Sequence, residues 1–462
     1  MSNTIQRLGT ANMYDSAIRN LGQRQGDLSH QQEQLTSGKR VVRPSDDPVA
    51  SAQAERAMTR ISRIQSEQRA LAAQKDTISQ AESSLGDAET VMQSIRTLLV
   101  QAGGGSLTVT DRQTIVTQLQ SLREQLSSIA NAKDANGVPL FSALGSSTTP
   151  FGGPLSANPD YAFNGQAGQT AANGTSIPGT LDGSAGFMFN PQRDGVYAGT
   201  VTMDNGSGTQ VPIPNSAGRS LTTSGITPTN PSQVTGHTYA IQFSGVGPTA
   251  TPGAPAGTYT ATYTIYDTTA DPTMSGPGVG TGTVADYDST KPLTISIPDA
   301  NNTANASVPG LSFSITTTPG TTFNAAANTN IPAPSPADGD TVTITPSASI
   351  FSTIDAAIKG IGSAASGNDA IQAVSQALNN LDIGANNIHM LRGYAGAMMN
   401  RADSVSNDQD NRSTQLQAAR SNAEDLDMVQ GIANFQTAQT GYQAALKSYA
   451  QVQQMSLFNF MS

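Results

Sequence analysis

The chain has 462 residues, of which 13% are charged, with 24 basic against 34 acidic side chains and neither Cys nor Trp. That length allows two to four domains with real cores. The missing thiols exclude a disulfide framework and thiolate metal sites, and a net charge of −10 without a basic stripe argues against nucleic acid as a partner. No apolar run reaches the length of about 18 residues that spans a bilayer, and the first ten residues hold no basic cluster ahead of an apolar core, so neither membrane insertion nor a usual signal peptide is expected.

From the N-terminus, Tyr14, Leu21, Leu28 and Leu35 recur at heptad spacing and predict an arm helix over about 14–38. Ser37 and Gly38 end it. Pro44 and Pro48 interrupt the pattern, and Ser45 or Asp47 is placed to cap the next helix with Pro48 in its first turn. Ile64, Leu71, Ile78, Leu85, Met92 and Leu99 then repeat the heptad along a helix of about 48–101, stopped by Gly103-Gly104-Gly105. Thr110 to Gln113 reads as a capping box that opens a third helix with Ile115, Leu119, Leu122, Leu126 and Ile129 on one face.

Proline divides the chain. Of 25 prolines, two lie at the joint and the rest fall between Pro139 and Pro346, so helix is discouraged only in the middle. There Thr258 to Ile265 alternates Thr with Tyr259, Ala261, Tyr263 and Ile265, and similar short strands are expected at 196–202, 238–244, 293–297, 311–315 and 341–345. Turn pairs such as Asn164-Gly165, Asp182-Gly183, Asp194-Gly195, Asn205-Gly206 and Asp338-Gly339 separate elements. Residues 141–350 hold 11 Asp, no Glu, one Lys and two Arg, a balance of −8, so one or two acidic, solvent-facing antiparallel β domains are expected.

After residue 347 the pattern is helical again: short helices at about 350–362 and 369–381, then a long one over about 385–455 with an Ala-rich seam interrupted by Gln409 and Arg412. Interior Gly393, Gly396, Gly431 and Gly441 each weaken it by about 1 kcal/mol relative to Ala. Leu426, Phe435, Tyr442, Leu446 and Tyr449 continue its apolar face, and Leu457, Phe458 and Phe460 crowd the end. The predicted fold class is α+β, an antiparallel long-helix hairpin or coiled-coil bundle built from both chain ends with a β-rich insertion. Its segments are 1–44 (arm), 45–144 (rod), 145–346 (β) and 347–462 (rod and terminal helix).

Ser37-Gly38-Lys39-Arg40-Val41, followed after one residue by Arg43-Pro44-Ser45-Asp46-Asp47-Pro48-Val49-Ala50, resembles the joint of the flagellin superfamily, and within it that of the hook-filament junction family. Filament flagellins carry Ser-Ala-Lys-Asp-Asp-Ala-Ala-Gly where this chain has 43–50. Ala130 to Phe141 and the Ser-Leu-aromatic end resemble the same family, so the likeness covers about 1–145 and 347–462. The resemblance implies a structural component of the bacterial flagellum and not an enzyme: a ring of subunits between hook and filament, secreted by the flagellar type III route. Implied partners are copies of itself, an adjacent hook-associated protein, flagellin, and an export chaperone holding Leu457, Phe458 and Phe460. The assembly surface expected from the heptads is Tyr14, Leu21, Leu28, Leu35, Leu426, Phe435, Tyr442, Leu446 and Tyr449, with Ser37, Gly38, Arg43, Pro44, Asp46, Asp47 and Pro48 as the joint.

Filament flagellin is the closest alternative, and a surface adhesin on a helical stalk a more distant one, disfavoured by the missing Trp platform. No catalytic constellation or cofactor loop is present. His30, His237 and His389 stand in no ligand pattern, and the pairs Asp286/Asp288 and Asp338/Asp340 read as turn caps rather than Ca²⁺ ligands.

Overall fold

The computed structural model describes residues 3–104, 107–156, 159–204, 210–212, 218–250, 257–298, 306–324, 329–364 and 367–461. In chain order come α1 (Asn3–Ser37), α2 (Pro48–Ala102), α3 (Val109–Ala130), β1 (Phe151–Gly152), β2 (Ala162–Phe163), α4 (Gly183–Phe187), α5 (Pro191–Asp194), β3 (Tyr197–Asp204), β4 (Gln210–Pro212), β5 (Ser220–Thr223) and β6 (Thr227–Pro228). There follow β7 (Tyr239–Pro248), β8 (Thr258–Asp267), β9 (Gly280–Asp288), β10 (Leu293–Ile297), β11 (Leu311–Thr318), β12 (Gly320–Asn324), β13 (Thr329–Ala333), β14 (Thr341–Pro346), α6 (Ile350–Ser363), α7 (Gly367–Glu424) and α8 (Met428–Met461). The chain divides into two compact units, one of residues 1–72, 174–176 and 403–462, the other of 73–173 and 177–402.

In the larger unit the α2 heptad is a true core. Ile78 and Leu85 are fully buried, Met92 and Leu99 nearly so, and Ile388, Leu391 and Ala395 of α7 are buried as well. The two helices run antiparallel, as the pairs Arg392 to Glu82 at 2.7 Å, Arg392 to Glu89 at 2.9 Å and Arg96 to Asp382 at 3.0 Å show. Across it α3 lies antiparallel to α6, tied by Arg123 to Asp355 at 3.0 Å. The capping box that opens α3 is formed by Thr108 and Asp111, two residues before the predicted start. Helix α7 passes unbroken through 382–384. Gly384 there leaves room for Ile350, whose Cγ1 would stand 2.6 Å from an added Cβ, so this glycine serves close packing rather than a helix end.

Among the described residues the β region has two larger antiparallel sheets, β4-β3-β14-β7-β8-β9 and β10-β11-β5 with β6 also on β11, and two two-stranded ones, β1-β2 and β12-β13. The two larger sheets share one core of Ile241, Phe243, Tyr263, Ile265, Val342 and Ile344 with Leu221, Ile295, Leu311 and Ile315. The alternation read in 258–265 is the cause: Ala261, Tyr263 and Ile265 point inward. Arg219 and Asp340 form a buried ion pair at 2.8 Å beneath the sheets. Where β3 meets α7, amides replace strand pairing. Gln376 Oε1 accepts from Gly199 N–H at 3.2 Å and Asn380 Nδ2 donates to the Tyr197 carbonyl at 3.0 Å. Residues 141–187, which carry no periodicity, fold around an aromatic cluster. Phe187 lies 5.6 Å from Phe141, 5.3 Å from Phe151 and 6.1 Å from Phe351, ring centre to ring centre.

In the smaller unit α1 packs antiparallel on α8, since Tyr14 meets Tyr449, an added Cβ on Gly441 would meet Arg24, and one on Gly431 would meet Leu35. Residues 48–72 of α2 pack on 403–424 of α7, with Gln68 donating to Asp410 at 2.7 Å. Among the described residues no helix is long and apolar enough to cross a membrane, and no group of three or more potential metal ligands is found.

Candidate assembly site

The heptad of α1 places Leu21, Leu28 and Leu35 toward α8, and all three are half-buried. Tyr14 and Tyr449 share a hydroxyl hydrogen bond of 2.8 Å with rings 5.6 Å apart. That contact raises the Tyr449 phenol above its ordinary value, the Tyr14 hydroxyl being the main cause. Phe435 and Tyr442 are also half-buried, whereas Leu446 is 40% exposed. Leu457, Phe458 and Phe460 belong to α8, but their side chains lie outside the described ones. Two helices alone cannot enclose this surface: Ile18 (44%), Ile432 (46%), Met428 (47%) and Val429 (81%) are left open to solvent.

At its inner end the pair is anchored by two chain breaks that face each other. Helix α1 ends at Gly38, whose φ of +69° is a left-handed conformation that favours glycine. The Gly38 carbonyl accepts from Leu426 N–H at 2.9 Å, and Arg40 N–H donates to the Glu424 carbonyl at 2.7 Å, so 38–40 and 424–426 form a short antiparallel bridge. This bridge explains a break between α7 and α8 at 425–427, where the sequence predicts continuous helix. There is no Pro or Gly there. Leu426 takes its partner from across the joint, and Asp427 starts α8 by accepting from Val429 and Gln430 N–H at 3.0 and 3.2 Å.

On the other side, Asp47 is the cap of α2, accepting from Val49 and Ala50 N–H at 3.1 and 3.0 Å ahead of the rest of the helix, with Pro48 as its first residue. Asp46 accepts from Arg43 N–H at 2.8 Å and Val42 N–H at 3.1 Å, and faces His30 Nε2 at 3.4 Å. Ser37 Oγ accepts from Lys39 N–H at 3.3 Å, and Arg43 reaches Glu33 at 3.0 Å. Pro44 is exposed. Val41, Ala50, Ala54 and Ala423 make a small apolar knot under these polar contacts.

Arg40, which periodicity does not mark, connects the parts. Its guanidinium donates to Asp47 at 3.1 Å and to the Ala423 carbonyl at 2.8 Å, while its own carbonyl accepts from Gln34 Nε2 at 2.6 Å. Lys39 and Arg420 flank Glu424 at 3.3 and 2.7 Å. The electrostatics follow. Backbone donation, from Arg43 to Asp46 and from Ala50 to Asp47, is the first cause holding both carboxyls below their usual range, with His30 and Arg40 adding to it. Burial alone pushes Glu424 up, but Arg420 and Lys39 together outweigh it and bring it down. The joint is thus a charge-dense knot in a charge-poor chain. Its side chains are spent on holding backbones in place.

The family model of the bacterial flagellin N-terminal helical region matches residues 9–146, and that of the C-terminal helical region matches 371–461. The chain is 31% identical over 195 residues to flagellar hook-associated protein 3 of Escherichia coli K12, covering 41% of this chain and 56% of that one. It is 35% identical over 147 residues to the protein of the same name from Salmonella typhimurium, covering 31% and 46% respectively. The chain thus spans about half the length of the curated relatives it matches. In three dimensions it resembles the flagellar junction protein FlgL from Legionella pneumophila with a TM-score of 0.52 at 22% identity, over 81% of this chain and all of that one. Both ends of the chain are therefore similar to the helical regions of bacterial flagellin, and the chain shares its fold with the Legionella junction protein.

Proposed function

We propose that the chain is a structural subunit of the bacterial flagellum that joins hook to filament as a ring of copies. The observation that carries this reading is the α1/α8 pair, which leaves Ile18, Val429, Ile432 and Leu446 exposed along two helices with little else in the chain to cover them. Apolar groups so arranged are a surface for further helices. The likeness to flagellar hook-associated protein 3 and to a flagellar junction protein supports that place of assembly.

In this reading residues 1–44 and the terminal helix form the assembly arm, 45–144 and 347–424 the rod, and 145–346 a replaceable outer domain. Its neighbours are a hook-associated protein on one side and flagellin on the other. Secretion runs through the flagellar type III apparatus, with a chaperone covering Tyr442 to Phe460 until export. The reaction chemistry is none; the work is mechanical.

Deleting the gene tests the assignment. The expected phenotype is an intact hook without filament, with unpolymerised flagellin in the medium, restored by the wild-type chain. Normal filaments in the deletion strain overturn the junction role. A filament made of this chain itself identifies a filament flagellin instead.

A further inference from the structure

Tyr14 of α1 and Tyr449 of α8 meet hydroxyl to hydroxyl at 2.8 Å, with ring centres 5.6 Å apart and ring planes inclined at 39°. Both are half-buried. The other tyrosines are placed differently. Tyr161 donates its hydroxyl to Asp355, and Tyr239 shares a hydrogen bond with Thr235. Tyr259 and Tyr287 lie 6.3 Å apart, ring centre to ring centre, but the Tyr287 hydroxyl is buried without a hydrogen-bond partner. Among the described residues, Tyr14 and Tyr449 are thus the tyrosine pair whose phenols are hydrogen-bonded to each other. The chain has neither Cys nor Trp, so the side chains that usually compete for a one-electron oxidant are missing, and no disulfide can tie its helices.

We infer that Tyr14 and Tyr449 form an oxidative modification site, at which a one-electron oxidant of the class of a haem peroxidase with hydrogen peroxide joins α1 to α8 by a dityrosine bond. Loss of an electron makes a phenol strongly acidic, and the facing hydroxyl is in place to take up or pass on its proton. Each ring gives up one electron and one proton. The two radicals then join through the ring carbons beside their hydroxyls, at the ends of the rings that face each other. The hydrogens on those carbons move to the oxygens as the rings regain aromaticity. In all, two electrons and two protons leave, and one hydrogen peroxide takes them up to become two waters. The bond bridges a sequence separation of 435 residues and fixes a helix pair whose own seam is only half-buried. Both rings belong to one chain, so the bond forms whether or not the chain assembles into a ring.

The test treats the purified full-length chain, dilute enough to stay monomeric, with a haem peroxidase and hydrogen peroxide. The expected product is a monomer with dityrosine fluorescence, lighter by two hydrogens, that runs faster on denaturing gels. Its digest should contain a linked pair of peptides carrying Tyr14 and Tyr449. Tyr14→Phe and Tyr449→Phe each keep a ring in place and are expected to lose this product while their circular dichroism stays that of wild type. Tyr442→Phe, on the same helix as Tyr449 but outside the pair, is expected to keep it. Peptide mapping of the wild-type product identifies the joined rings even where a Phe variant fails to fold. In the linked chain, amides of α1 and α8 should exchange more slowly with solvent while those of β7 and β8 are unchanged.

No link within the wild-type chain overturns the proposal, as does a link that survives either Phe variant. A link formed first between Tyr259 and Tyr287, or between separate chains, overturns it too. Linked chains whose α1 and α8 amides exchange as before overturn the role of the bond in holding the two helices together.

Discussion

The same heptad spacing gives two different results in this chain. Along α2 in the larger unit, Ile78 and Leu85 are wholly buried, while along α1 Leu21, Leu28 and Leu35 reach only half-burial and α8 leaves Val429 81% exposed. The first seam is covered by α7 and by neighbouring helices of its own chain. The second has a single partner helix. Periodicity states that a face is meant to be covered; the number of elements near it decides whether the chain can do so alone.

The sharpest way to break this comparison is to truncate one leucine in each seam. Leu85→Ala empties a fully buried site and is expected to cost about 2–5 kcal/mol. Leu28→Ala, half-buried, should cost less than about 1.5 kcal/mol in the monomer. Denaturant melts of the isolated protein read both, and equal losses would mean that the α1/α8 pair is as self-sufficient as the rod.

Next in size is the joint. Arg40→Ala removes the pair with Asp47 and the bond to the Ala423 carbonyl at once. With the guanidinium half exposed, the loss is expected to be about 1–2 kcal/mol. Its effect should be local. Amides of α1 and α8 should exchange faster with solvent while those of β7, β8 and β14 keep their protection; uniform deprotection would show that the two units unfold as one.

How much of this was legible in advance follows from the range of the interactions. Asp47 and Pro48 announce the start of α2 because a cap and its helix are neighbours in sequence. Arg40 does not announce itself, since its partner carbonyl is 383 residues away. The break at 425–427 is hidden for the same reason: Leu426 leaves the helix for Gly38, and no Pro or Gly marks the place. The β core was readable from alternation at 258–265, whereas the aromatic cluster of 141–187 has no period and is held by contacts among distant Phe rings. The gap expected between helices of 369–381 and 385–455 is absent, and Gly384 within it is explained by the Ile350 side chain packed on it, a contact that periodicity does not show.

Acid separates the regions a third way. Asp46, Asp47 and Glu424 have folded-state values below the unfolded ones, so their contribution is complete above the unfolded value and is lost as pH falls through the lowered folded one, from about pH 4 downward. Asp271 and Asp288, the latter held down to about 2 chiefly by the Thr290 hydroxyl, are lowered too, but they close local turns of the β region. The joint, which ties distant segments, should therefore open first. Circular dichroism and near-ultraviolet tyrosine signals followed from about pH 6 to pH 2 should show helix loss before the β core changes; simultaneous loss would count against it.

The smallest expected effect on the monomer is also the one that best separates folding from assembly. Val429 is 81% exposed at the start of α8, and its side chain has almost nothing of its own chain to lose. Val429→Ser should leave the melting curve within about 0.5 kcal/mol of wild type. Its backbone N–H still donates to Asp427, so the cap survives the change. In the ring proposed above the same position, with Ile432 on the adjoining turn, lies on the face that has no cover in the isolated chain. Burial of a valine there contributes about 1.5 kcal/mol or more per contact, repeated at each subunit. The variant is expected to be secreted at normal levels yet to yield fewer filaments per cell, counted by electron microscopy. Normal filament numbers with an unchanged melt would mean that this end of α8 stays exposed in the flagellum, and that the uncovered surface used for assembly lies further along the pair, toward Ile18 and Leu446.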